Sequence, residues 1–182
     1  MNRDRSHSTA YAVPGHWNDP DMLVVGVNGA NEWMGPGCTP LEYRSHFSLW
    51  CLSAAPLLIG CDIRKMDAAT KETLLNPELI AVKQVPLGRQ GRIVRKEEGT
   101  DLWVKPLSDG SVAIGLYNRS SEEKEMTVKW SELGLEAGAG GLARKAAAVR
   151  DLWAREESGV HEGRYTRKVS PHELAVVKAA FR

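Results

Sequence analysis

Cysteine is scarce, with three residues, Cys38, Cys51 and Cys61, in a chain of 182. An odd number at this spacing is not a disulfide framework and fits no zinc pattern. Free, partly buried thiols are expected, with a single bridge as the alternative. Net charge is nearly absent too: 24 Lys+Arg against 23 Asp+Glu leave +1. The signs are mixed locally, as in Glu122, Glu123, Lys124 and Glu125. Such a balance gives no electrostatic basis for binding nucleic acid or an anionic membrane. No apolar run approaches the ~20 residues that span a bilayer. The opening MNRDRSHS is polar and basic with no apolar stretch behind it, so it does not read as a secretory leader. The sequence assigns no compartment.

The sequence is written in two halves. Up to about residue 85 it alternates strand-like and helix-like segments. Residues 17–25 are apolar-rich and end at Gly26, and a glycine-rich loop follows. Thr39, Pro40 and Glu42 then form a capping box with proline at the first helical position. Tyr43, Phe47, Trp50 and Ala54 recur at helical spacing until Ala55-Pro56 ends the run. PLLIGCD (56–62) reads as a parallel strand covered on both faces. Asp67 and Asn76-Pro77 mark two more helix starts. The order predicts βαβ units.

From about Ile93 the pattern becomes antiparallel. Ser108-Asp109-Gly110 is a hairpin turn between alternating runs, and Met126, Val128 and Trp130 alternate in the next one. AAVRDLW and ELAVVKAAF are strand-like as well, which predicts a β-sandwich. VPLGRQGR (85–92) is the joint, dividing the chain into 1–88 and 89–182. The fold class is therefore α/β plus all-β. Two strands with about three helices cannot close a parallel barrel, and parallel strands need both faces covered. The β half, another chain or an upstream part of the fold must supply that cover.

The most chemically suggestive stretch is GHWNDPDMLVVG (15–26), with Asp19 and Asp21 either side of Pro20. On a strand they would share one face, their Cα atoms roughly 6–7 Å apart. Glycosidases need two carboxyls flanking one bond from opposite sides, ~5–5.5 Å apart in retaining and ~6.5–9.5 Å in inverting enzymes. Neighbours on one strand point the same way, so the pair suits hydroxyl hydrogen bonding or metal ligation better. Either the two acids cap the turn that follows or they line a polar pocket; spacing does not choose.

PGHWNDPDML (14–23), EYRSHFSLW (42–50), APLLIGCDIRKM (55–66) and PLGRQG (86–91) resemble consecutive blocks of the α-galactosidases of glycoside hydrolase family 27. LWVKPLSDGSVAIGLYNRS (102–120) and RDLW (150–153) resemble that family's C-terminal β domain. The resemblance implies the C-terminal fragment of a (β/α)8 barrel, its seventh and eighth βα units, followed by an antiparallel β-sandwich. It implies retaining hydrolysis of terminal α-linked galactose without metal or organic cofactor, and α-galactoside sugars as partners. The family's nucleophile lies in a K-x-D motif and its acid/base in an R-x-x-x-D motif, both on earlier strands. Lys65-Met66-Asp67 spells K-x-D but follows the eighth strand and opens a helix. No catalytic residue and no metal ligand is therefore expected within this chain.

By the same resemblance, Asp21 and Met22 sit at the pocket wall with Trp17 and Asp19 supporting them, and Asp62 stands behind; His16, beside the acidic stretch, is either a residue behind that wall or a hydrogen-bonded structural histidine. Trp33, in the loop after the seventh strand, is a further sugar-contact candidate. The family's usual N-Q-D-P-L-G joint is here Lys83-Gln84-Val85-Pro86-Leu87-Gly88. His46 reads as packing, and Trp103 and Trp153 as core. The alternatives are a carbohydrate-binding or structural module, a subunit that completes a barrel supplied by an upstream chain, a homo-oligomer, and an α-N-acetylgalactosaminidase.

Overall fold

The computed structural model describes residues 12–29, 35–134 and 146–182. Helix α1 (Pro40–Leu52) starts as its sequence dictates. The Thr39 hydroxyl accepts the Glu42 N–H, and the Glu42 carboxylate accepts the Thr39 N–H at 2.8 Å. It ends with Ala54 in the left-handed region at φ 55°, the Ala55 N–H donating to Trp50 O and the Ala54 N–H to Cys51 O. That is a Schellman ending with alanine where glycine is usual. Helices α2 (Ala68–Leu74) and α3 (Pro77–Lys83) are capped by Asp67 and Asn76.

The two expected parallel strands shrink to one parallel bridge, Leu23 to Ile59, with the Gly60 N–H donating to Leu23 O at 3.2 Å. Residues 17–23 are not a continuous strand, because Asp21 has φ 83°. Val13 and His16 close a short antiparallel bridge of their own. The physical reason is want of cover. Leu58 is 73% exposed, and Ile59, Ile63 and Met22 are exposed beside it. A parallel ladder with open edges and an open face has little to hold it extended.

The second half is an antiparallel sandwich. Strands β1 (Arg92–Glu97), β2 (Thr100–Pro106), β3 (Val112–Asn118), β5 (Ala146–Asp151), β6 (Glu156–Glu162) and β8 (Leu174–Phe181) form a six-stranded sheet in the order β1-β2-β3-β8-β5-β6. Strands β4 (Lys124–Lys129) and β7 (Arg164–Val169) form a two-stranded partner. Alternation gives the large sheet two buried faces. Leu102, Val104, Ile114, Leu116 and Val177 pack inside, against Met126, Val128, Tyr165 and Val169. Trp103, Ala113, Leu152, Leu174 and Val176 pack outward, in one core with Phe47, Trp50 and Leu52 of α1.

This seam is tight. Gly115 lies under Leu52, where an added Cβ would meet Leu52 Cδ1 at 2.8 Å and Trp103 Cβ at 3.1 Å. The Gly91 N–H donates to Leu52 O at 2.7 Å, and Asn18 Nδ2 donates to Gln90 Oε1 at 2.8 Å. Ser45 Oγ donates to His172 O and accepts the Leu174 N–H, each at 2.7 Å. Trp153 Nε1 donates to Ser48 Oγ at 3.0 Å. Trp103 and Trp153 are seam residues, as their pattern suggests.

Lys105 is the unusual member, 1% exposed, with Nζ donating to Cys51 O at 3.0 Å. Burial pulls its pKa from 10.5 down to about 8, the charge on Lys83 adding to the effect and Cys51 opposing it. The Cys51 thiol is itself pushed up to about 12 by burial. Below about pH 8, folded and unfolded chains both hold the Lys105 proton. Between that and the ordinary lysine value only the unfolded chain holds it, so the Lys105 contribution to stability rises with pH across this window, while above pH 9.0 the raised Cys51 thiol works the other way. Lys105→Met is expected to remove that rise, of order 2–3 kcal/mol. Urea denaturation of both proteins from pH 7 to 10 checks it; parallel profiles would refute it.

Candidate functional site

The geometry around the acidic pair follows from one turn. Asp19 Oδ1 accepts the Asp21 N–H at 2.9 Å, an Asx turn across Pro20. Asp21 is thereby held in the left-handed region, which aspartate tolerates better than most residues. Asp19, Asp21, Met22 and Trp17 are all exposed on this segment. Of the two readings left open by spacing, the turn-capping one describes Asp19. The Asp21 carboxylate accepts no hydrogen bond from any described residue, and the residue is exposed. Both acids come from one turn, so neither can stand across a sugar from the other.

The bridge from Leu23 to Ile59 fixes this turn beside the second strand segment. Asp62 lies beyond that bridge in chain direction, whereas Asp21 lies before it. Its carboxylate is committed to Arg64, accepting from the Arg64 N–H at 3.0 Å and from both Nε and Nη2 at 2.9 Å. The Arg64 guanidinium, then its backbone N–H, holds the Asp62 carboxyl below the usual range. Asp62 thus orders the turn Ile63–Lys65 and makes no hydrogen bond to Asp19 or Asp21. His16 is exposed and joins Val13 through the backbone. Trp33 lies outside the described residues.

A cavity of about 100 Å³ sits nearby, lined by residues that include Asn28, Cys38, Tyr43, Asp67 and Thr70. None of the acidic-turn residues lines it, and it is well below the ~300 Å³ at which small-molecule pockets begin. Cys38, one of the lining residues, has its thiol pKa raised by burial and by Glu42. All three cysteines are free. Among the described residues no group of three or more His, Cys, Asp or Glu side chains could hold a metal ion. No described helix is long and apolar enough to cross a membrane.

Sequence reading missed His46. It is not only packing, because its Nε2 accepts the Val24 N–H at 3.2 Å, two residues from Met22. The one available signal was a histidine on the face of α1 that carries Trp50 one turn later.

Residues 1–85 match the family described as alpha galactosidase A, and residues 97–179 match the alpha galactosidase C-terminal beta sandwich domain. The chain belongs to the α-galactosidase family. The alpha-galactosidase of Oryza sativa subsp. japonica is 48% identical over 164 residues, which are 90% of this chain and 36% of that relative. Alpha-galactosidase I from Mortierella vinacea superposes with a TM-score of 0.80 at 27% identity, over 90% of this chain and 39% of the other. A family 27 β-L-arabinopyranosidase from Geobacillus stearothermophilus superposes with a TM-score of 0.77 at 28% identity, over 91% and 37%. The α-galactosidase-family chain described here spans little more than a third of the length of these relatives, and it holds a barrel fragment followed by the C-terminal sandwich.

Proposed function

We propose that this chain is the C-terminal part of a retaining α-galactosidase, with residues 1–88 as the closing βα units of the barrel and 89–182 as the sandwich. On this reading Asp21 and Met22 form part of the sugar-pocket wall. Asp19 and Trp17 support them, Trp33 reaches in from the following loop, and Asp62 and His16 stand behind. The nucleophile and the proton donor come from upstream strands. Two carboxyls ~5–5.5 Å apart on opposite sides of the glycosidic bond are needed for double displacement. The acidic turn places both acids on one short segment, with Asp19 Oδ1 already accepting the Asp21 N–H. Its part is to orient the sugar and wall off water while the upstream pair does the covalent chemistry.

The reading is carried by the lone Leu23–Ile59 bridge, with apolar residues uncovered around it on a segment that matches the α-galactosidase barrel. Uncovered strand edges and apolar faces mark a surface built to be covered. The test is to mix the purified chain with the separately expressed upstream segment of the rice relative and follow an activated aryl α-galactoside. Turnover is expected only in the mixture. Galactose binding by the unmixed chain in a calorimeter, with an inert mixture, would favour a carbohydrate-binding module instead.

A further inference from the structure

We infer that His46 is a positioning residue for the sugar-pocket wall, fixing the main chain at Val24 and with it the turn that presents Asp21 and Met22. The inference rests on the pocket-wall role proposed above. In a strand, successive N–H and C=O groups point to opposite sides. Leu23 turns toward the second strand segment, its carbonyl accepting the Gly60 N–H. The Val24 N–H therefore faces the other way, along an edge where the described residues provide no neighbouring strand. His46 Nε2 accepts that N–H at 3.2 Å. The segment is held on both sides, by backbone on one and by an imidazole on the other.

The imidazole is itself held. Its ring stacks on Trp50 with centroids 4.0 Å apart and planes 42° apart. The preceding residue, Ser45, is tied to the turn before β8 through His172 O and the Leu174 N–H. A continuous path therefore runs from the sandwich through Ser45 and His46 to Val24 and the acidic turn. Burial lowers the His46 pKa, with a weaker opposing effect from the Met22 backbone. Packing alone would need no nitrogen at this position. A leucine or phenylalanine would fill the space, whereas only an acceptor satisfies Val24.

The experiment has two arms, each comparing wild type with His46→Leu and His46→Gln. The first uses nuclear magnetic resonance on the 182-residue chain. The His46 ring is expected to carry its proton on Nδ1, and His46→Leu to speed Val24 amide exchange at least tenfold while β2 and β3 amides keep their rates. His46→Gln, which restores an acceptor, should recover most of that protection. A proton on Nε2, or an unchanged Val24 rate in His46→Leu, would overturn the inference. The second arm uses the mixture with the upstream rice segment. There His46→Leu is expected to raise KM about tenfold with kcat within twofold, and His46→Gln to restore KM. An unchanged KM in His46→Leu would overturn the link to the pocket. An inert wild-type mixture would count against the proposed function, and the Val24 arm would still judge His46.

Discussion

Asp21→Ala is expected to lower kcat/KM for an aryl α-galactoside by about 10- to 100-fold in the mixture with the upstream segment. The carboxylate is exposed and accepts no hydrogen bond from any described residue, so its acceptor capacity is available to a ligand. A hydrogen bond from a sugar hydroxyl to a charged acceptor contributes ~1.5–3 kcal/mol, which sets that range. Most of the loss should appear in KM, because the role proposed for Asp21 is to hold sugar hydroxyls and not to act on the bond that breaks. Backbone strain has to be separated from this effect. Asp21 holds φ 83°, which alanine accepts less readily than aspartate. Asp21→Asn and Asp21→Gly provide the separation: asparagine keeps the turn and removes the charge, and glycine relieves the backbone and removes the side chain. If Asp21→Asn and Asp21→Gly both match wild type, the carboxylate contacts no sugar.

Asn76→Ala is expected to cost about 3 kcal/mol of folding stability, more than any other single polar substitution proposed here. Asn76 is fully buried. Its Oδ1 accepts the Glu78 N–H at 3.0 Å and the Leu79 N–H at 3.1 Å, capping α3. Its Nδ2 donates to Leu152 O at 3.0 Å in the sandwich. Loss of a cap is worth ~1 kcal/mol, and a buried carbonyl left without its donor costs a further ~1–3 kcal/mol. The neighbouring Arg150–Glu78 pair, bonded at 2.7 and 2.9 Å, crosses the same seam but is part-exposed, where ion pairs contribute ~0–1 kcal/mol. Arg150→Ala should therefore cost much less. Urea denaturation of both variants checks the order, and equal losses would contradict it.

Much of this fold can be read directly in the chain, and the legible parts are the local ones. The Thr39–Glu42 box, the Asp67 cap and Asn76-Pro77 specify helix starts through side chains within a few residues of each other. The turn at Ser108-Asp109-Gly110 is local too, and Gly110 adopts φ 80° there. The alternation over residues 112–117 reads as one strand because both faces of β3 are buried. What was not legible depends on partners outside the segment itself. β6 is EESGVHE, nearly all exposed, and carries no apolar alternation; pairing with β5 makes it a strand. Residues 17–23 and 56–62 have strand-like composition, yet with little to pair against they form one bridge. Trp130 continues the alternation of β4 but opens a 3₁₀ turn, buried and donating from Nε1 to His161 O.

The candidate site divides in the same way. That two acids separated by a proline belong to one short segment is a matter of spacing, and the segment is a turn and not a continuous strand. That Asp19 serves the backbone of Asp21 while Asp21 stays open follows from the left-handed residue, which no composition announces. Lys105 shows the limit most clearly. A lysine in a strand is expected to reach water, and this one is enclosed because α1 docks over it and offers the carbonyl of Cys51.

On the proposed function, the acids of this chain cannot flank a glycoside. The most direct measurement is an activated aryl α-galactoside assay on the purified chain alone, at concentrations where the mixture with the upstream segment turns over. No hydrolysis above background is predicted. Hydrolysis by the chain alone, abolished by Asp19→Asn or Asp21→Asn, would contradict it.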